Sequence, residues 1–251
     1  EPIVMLNYGF DISSNTKLAA AASFRFGKNG YSALTWTDGP DPRPDYYRYL
    51  PSYFNDNSVI ADEYTDRWLS GDPKFTQIDW DALYEANLVN KLTGDGAAVY
   101  MVEERRSDLF ETTFNSTVDA RLSKHMRLTA GIGARTTTSH QFKTVEDLLG
   151  ADYVLDIDKF AERDFGSNTQ AYQNNLDYYN KYGHAHAAKV GDKYSYDYYA
   201  HVLSTRAWAS YGFNVGGLVI TVGGEVGYAK LWREGLWRKG LFPDNSENWI
   251  T

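Results

Sequence analysis

The side chains able to do chemistry are few and scattered. His184-Ala185-His186 sets two imidazoles two residues apart, which on a strand would share a face and could hold a metal ion. In a polar stretch between strand patterns the pair reads instead as solvated imidazoles in a loop. Asp152, Asp156 and Asp158 suggest a cation site, but the EF-hand spacing with its glycine and closing glutamate is absent. Glu103-Glu104 offers two carboxylates with no partner that spacing can locate, and no Ser, His and Asp fall into an arrangement that argues for nucleophilic catalysis. Asn115-Ser116-Thr117 matches a glycosylation acceptor yet lies mid-strand, so the match reads as chance. Gly131-Ile132-Gly133 and Gly223-Gly224 open no helix with phosphate-loop spacing; they read as small residues making room inside a barrel. Cys is absent, which removes disulfides, thiolate metal sites and cysteine nucleophiles together. No catalytic, cofactor, metal or ligand-binding residue is therefore assigned, and no feature specifies an enzyme.

The elements that carry these residues speak more clearly. Read with a period of two, Val4, Leu6, Tyr8, Phe10 and Ile12 share one face against Met5, Asn7, Gly9 and Asp11, the mark of a strand. After the turn cluster Ser13-Ser14-Asn15-Thr16, Leu18, Ala20, Ala22, Phe24 and Phe26 alternate with Ala19, Ala21, Ser23, Arg25 and Gly27, completing a hairpin. A second hairpin runs from Phe110, Thr112, Phe114, Ser116, Val118 and Ala120, through a turn at Lys124, to Leu128, Ala130, Ile132 and Ala134. A third turns near Gly216, with Leu203, Ala207, Ala209, Tyr211 and Phe213 before the turn and Ile220, Val222, Val226 and Tyr228 after it. The hairpins cover about 3–37, 97–143 and 193–233, and long stretches of about 39–96, 144–192 and 234–251 separate or follow them. Each long stretch follows an even-numbered strand, so all three lie at one end of the sheet and the three short turns at the other. Within them, Asp41-Pro42-Arg43-Pro44 must be extended or turning. Thr76 to Asn90 fits an amphipathic helix with Trp80, Leu83, Tyr84 and Leu88 on one face and Asp79 or Thr76 as cap, and Val145 to Gly150 starts another short helix.

Composition narrows the setting. A net charge of -8 and a pI near 5.1 argue against nucleic acid, which needs a positive footprint. Aromatic residues make up 16% of the chain, including 20 Tyr, a mix that favours strands over helical bundles. No run of 18 apolar residues marks a transmembrane helix. The low mean hydropathy of -0.51 does not exclude a membrane, because a barrel strand shows lipid only every second residue.

Two features favour a membrane barrel over a soluble sandwich, which alternates too. The patterned strands run about 15 to 25 residues, against about 5 to 6 in an ordinary sheet. Their polar face carries charges deep within each strand, as beside a wet lumen. We therefore expect an all-β chain: an antiparallel up-and-down meander of six long strands, an incomplete section of a transmembrane β-barrel with long loops at one end. Leu128, Ala130, Ile132, Phe114 and Val118 are expected toward lipid, and Arg127, Arg135, Glu111, Asp119 and Glu225 toward the lumen. Six strands are fewer than the eight of the smallest single-chain outer-membrane barrels, so the expected unit is a section of something longer, or one that closes with other copies. The alternative from another class is a soluble or surface-anchored β-sheet module that binds glycans through loop aromatics.

The wording of the loops adds a resemblance. Asp-Gly-Pro-Asp-Pro-Arg-Pro-Asp-Tyr-Tyr-Arg-Tyr-Leu-Pro-Ser-Tyr from Asp38 to Tyr53, Ile-Asp-Trp-Asp-Ala-Leu-Tyr from Ile78 to Tyr84, Glu-Asp-Leu-Leu-Gly-Ala-Asp-Tyr from Glu146 to Tyr153, and Gly-Leu-Phe-Pro-Asp-Asn-Ser from Gly240 to Ser246 resemble the barrel of TonB-dependent receptors. The branch concerned carries a carboxypeptidase-regulatory-like domain before its plug. The resemblance implies a barrel of about 22 strands in the bacterial outer membrane, importing a scarce ligand with energy relayed by TonB. It also implies the partners: membrane lipid, the plug domain and remaining barrel strands, TonB acting through that plug, and a surface lipoprotein over the loops.

Overall fold

The computed structural model describes residues 1–247; the last four positions of the expected 234–251 loop lie outside the described residues. Nine strands follow one another as β1 (Ile3–Ser13), β2 (Thr16–Gly27), β3 (Gly30–Trp36), β4 (Tyr100–Ser123), β5 (Met126–Asp147), β6 (Val154–Leu155), β7 (Ala187–Ala188), β8 (Lys193–Val215) and β9 (Leu218–Gly235). Six of them form an antiparallel meander in the order β1-β2-β4-β5-β8-β9. The expected second strand is broken into two. β2 pairs with β4 from Ala120 to Leu109, and β3 takes up the same edge from Arg106 to Tyr100, so the large sheet has seven strands rather than six. It is open, with no partner on the outer edges of β1 and β9 among the described residues.

Each hairpin turns in two residues, at Ser14-Asn15, Lys124-His125 and Gly216-Gly217. Gly216 and Gly217 have φ of 59° and 87°, the left-handed pair that a tight primed turn demands and that side chains with a Cβ adopt poorly. The turns lock the register, and the register sorts the faces. One row across the sheet reads Tyr8, Ala20, Ser116, Ile132, Ala207 and Val226; the next row, facing the other way, reads Gly9, Ala19, Thr117, Gly131, Trp208 and Glu225. Gly131 makes room for its neighbour, since a Cβ there would come within 2.7 Å of the Trp208 indole nitrogen. Ion pairs cross the polar face from Arg127 to Asp119 at 2.8 Å and from Arg135 to Glu111 at 2.5 Å.

Toward the turn end no second layer among the described residues covers either face. Val4, Leu6, Tyr8, Phe10, Phe110, Phe114, Ile132, Val222, Val226 and Tyr228 stand on one face, each 41 to 72% exposed, while the side chains of Arg127 and Arg135 on the other are more than half exposed. A sandwich would bury one of these faces. The exposed large apolar exceptions on the polar side, Ile3, Met5, Val219 and Leu231, fall on the edge strands, and the half-buried Trp208 on inner β8 packs over Gly131. Among the described residues no helix is long and apolar enough to cross a membrane.

The opposite end holds the protein's buried core. The first excursion folds into α1 (Ser58–Ser70), α2 (Pro73–Thr76) and α3 (Trp80–Thr93). Of the two expected caps it is Asp79 that starts α3, accepting from the Ala82 amide at 3.1 Å. The expected apolar face of α3 is covered only in part: Leu83 is buried as expected, but its buried companion is Asn87, while Trp80, Tyr84 and Leu88 are exposed. The reason is polar, because Asn87 must meet strand-end carbonyls and amides that no aliphatic residue could satisfy. Nor does Val145 to Gly150 form a helix. Val145 pairs with Glu103 and is fully buried, β5 runs on to Asp147, and Leu149 and Gly150 turn with positive φ; a sheet partner overrides local helical preference. The second excursion carries β6, β7, α4 (Lys159–Phe165) and α5 (Leu176–Tyr182), a cap seated on the sheet through Ala98, Met101, Val145, Leu148, Val154, Ala188 and Tyr194.

Candidate functional site

Under this cap the sheet ends in a cleft of about 270 Å³. Alternation along β4, β5 and β8 brings Glu103, Lys143 and Tyr194 together on the polar face, and the fold closes around them. Glu103 is 1% exposed and is fully engaged: Arg105 Nε donates to it at 2.5 Å, Lys143 Nζ at 3.1 Å, and the Tyr194 hydroxyl also donates. A carboxylate this deep needs such partners, since burial alone disfavours its charge.

A second set of residues reaches the cleft from the cap and from the chain after β9. Asp158 caps α4, accepting from the Phe160 and Ala161 amides, and thereby sets Lys159 and Phe160 at the rim. Lys159 Nζ donates to the Trp36 carbonyl at 2.5 Å and lies 5.5 Å from the Trp36 ring and 5.7 Å from that of Phe160. Lys239 enters from the far side, donating to Asn174 Oδ1 at 2.8 Å and to the Ser195 carbonyl. Burial pushes the Lys239 ammonium down to a pKa of about 8, against the pull of Asp156 and Asp158. Ser195 sits where the β5–β8 register slips by the extra residues of a bulge, with φ of 68°. Left-handed backbone costs a residue bearing a Cβ roughly 1–2 kcal/mol. It is held there by Asp156, whose Oδ1 accepts from the Ser195 amide at 2.7 Å and from Asn174 Nδ2 at 3.0 Å.

The residues singled out from sequence end up apart. Asp152 pairs with Lys91 at 2.5 Å, Asp156 is buried behind the cleft and Asp158 caps a helix, so the three aspartates form no common site. His184 and His186 both pack on Tyr178, with ring centroids 5.9 and 4.8 Å away. Among the described residues no three His, Asp or Glu side chains converge to hold a metal. Asn115 projects from mid-strand β4 on the polar face, beside Gly133. Glu103, which spacing left without a partner, is a centre of the cleft, and Lys143, Tyr194, Asn174, Lys159 and Lys239 were not singled out. No local pattern joins them, because they meet only through strand pairing and a segment that returns from beyond β9.

His186 does have a chemical role in the cap. Its Nδ1 stands 3.9 Å from Asp156 Oδ2, ion-pair rather than hydrogen-bond distance, and that carboxylate raises the imidazole pKa against the opposing effect of burial. A raised pKa stabilises the folded state fully below about 6.5, the unfolded value, and the gain is lost as pH rises through the folded value. Intrinsic-rate-corrected amide exchange at Ala187 and Ala188 is expected to be slower at pH 6 than at pH 8, with the difference abolished in Asp156→Asn. Equal protection at both pH values would show that this pair does not hold the cap. Compared with family models, curated proteins and solved structures, the chain matches none.

Proposed function

We propose that this chain forms part of the wall of a TonB-dependent receptor in the bacterial outer membrane, a transporter that imports a scarce ligand. In this reading the apolar face meets lipid, the polar face lines an aqueous lumen, the two-residue turns lie in the periplasm, and the excursions face outward toward the ligand. One observation carries it: a broad apolar face that nothing among the described residues covers, on strands far longer than a soluble sheet needs. The apolar positions of β4 run from Phe110 to Leu122, roughly 40 Å at about 3.3 Å per residue. At the tilt of about 40° usual in such barrels this is roughly 30 Å of height, enough to cross the lipid-facing band of about 25 Å. A face of this size in water would be an aggregation site. The bare edges of β1 and β9 support further wall strands as partners, since hydrocarbon satisfies no backbone group. The plug, TonB acting through it and a surface lipoprotein complete the proposed assembly.

The absence of native cysteine makes the test direct. Single cysteines at Ile132, Val222, Arg135 and Glu225, nitroxide-labelled in protein reconstituted into lipid vesicles, are expected to divide by face. Labels at 132 and 222 should be relaxed by oxygen and shielded from a nickel chelate, and those at 135 and 225 the reverse. Ile132→Arg should weaken folding into vesicles by about 2–4 kcal/mol. Four labels equally open to the nickel chelate, in protein that needs no detergent, would replace the membrane reading with a soluble sheet that binds through its loops.

A further inference from the structure

The cleft carries positive charge that the protein does not pair. Among the described residues, lysine–carboxylate ion pairs are made by Lys17, Lys91, Lys143 and Lys193; Lys159 and Lys239, which both line the cleft, make none. The nearby carboxylates are largely committed. Glu103 serves Arg105, Lys143 and Tyr194, Asp158 serves two helix amides, Asp41 pairs with Arg43, and Asp156 serves the Ser195 amide and Asn174 through Oδ1 while its Oδ2, which accepts no hydrogen bond, faces His186. An ammonium has three donors. Lys239 spends two on uncharged oxygens and Lys159 one, which leaves one donor on the first and two on the second. Asp156 and Asp158 attract Lys239 without pairing with it, and burial outweighs that attraction, as desolvating a cation that lacks a direct ion pair is costly. The backbone that anchors Lys239 is itself the strained Ser195, and strain of this kind gathers at ligand clamps.

Size and shape narrow the occupant. A cleft of about 270 Å³ has room for roughly nine waters at about 30 Å³ each, the scale of one small ring with its oxyanion. Trp36 and Phe160 flank Lys159; Arg43 lies over the first ring at 5.3 Å and Arg163 over the second at 5.7 Å, and the ring surface left open stands beside these charges. We propose that this cleft binds a small ligand that presents a carboxylate or phosphate oxyanion to Lys159 and Lys239, with a compact ring or apolar body against Trp36 and Phe160. The site stands whether or not the sheet lies in lipid, so its failure and the failure of the wall reading are separable.

Calorimetric titration of the purified protein with benzoate, phenyl phosphate and neutral benzamide tests it. At least one of the two anions should bind saturably, at least about tenfold more tightly than benzamide, and the tighter of the two identifies which oxyanion the cleft prefers. Lys159→Gln and Lys239→Gln should each weaken that binding about tenfold or more, the usual weight of a charge-assisted hydrogen bond. Lys124→Gln, in a distant turn, should leave it unchanged. Affinity should also fall as pH rises through about 8, where free Lys239 loses its proton, and Lys239→Gln should remove that dependence. Should Lys239→Gln unfold the cap, Lys159→Gln at the cleft rim still decides. No saturable binding of either anion, benzamide binding equally well, or a Kd within twofold of wild type in Lys159→Gln would overturn the proposal.

Discussion

Glu103→Leu is expected to destabilise the capped end of the sheet by about 3–5 kcal/mol, the cost of removing one partner from a buried ionic cluster. The substitution itself is apolar and close in size, so the damage comes from what it strands. Lys143, whose side chain is 17% exposed and stacks near Tyr194 and Tyr196, would keep its charge without its carboxylate. The Tyr194 hydroxyl would lose its acceptor in a buried place. Arg105 would suffer least, being more exposed and close to the Tyr31 hydroxyl. Urea unfolding followed by a probe in the cap should show the loss, and the double variant Glu103→Leu/Lys143→Met should recover much of it. A single variant within about 1 kcal/mol of wild type, or a double variant no better than the single, would mean that the cluster is solvated and not a buried ionic unit.

Asn87→Ala should cost a similar amount, about 3–5 kcal/mol, through a different mechanism. Asn87 is fully buried; its amide nitrogen donates to the carbonyls of Tyr100, Leu148 and Leu149 at 2.7 to 3.1 Å, and its oxygen accepts from the Val99 and Tyr100 amides. One side chain thus fastens α3 to the start of β4 and to the turn after β5. Alanine leaves backbone groups from two segments without partners, each worth about 1–3 kcal/mol if water cannot reach it. Hydrogen exchange should show protection collapsing at Val99 and Tyr100 and unchanged around Thr129 to Gly133. Uniform loss along β5 would instead mean that both ends of the sheet unfold as one unit.

What could be seen in the sequence follows from what is local. The three hairpins, their two-residue turns and the face of each side chain from Phe110 to Ala134 are written in alternation and turn residues. The break at Lys28-Asn29 is harder to see, since alternation hardly changes there and only Gly27 and Gly30 hint at it. β6 and β7 are two residues long, below any periodic signal. α3 was legible as a helix and Leu83 as part of its apolar face, but Asn87 as the other buried residue was not, because an asparagine outcompeted aromatics once strand-end backbone had to be satisfied. Lys239 lies 96 positions from Lys143 (239 − 143); their meeting depends on β5–β8 pairing, a bulge and a returning segment, none of which leaves a local trace.

The two ends of the sheet also differ in how freely evolution can edit them. A turn of two residues fixes which side chain faces which way, so a single insertion at Lys124-His125 would carry every later residue of β5 to the opposite face. The excursion from 37 to 99 has no such duty. Its closure entropy grows only with the logarithm of its length, and doubling it would cost about 0.6 kcal/mol. Lineages that inherit this sheet can therefore lengthen the excursions at small thermodynamic expense wherever the residues that fasten them to the sheet, such as Asn87, Val154 and Ala188, are kept, while a change of length at the turn end is tolerated far less.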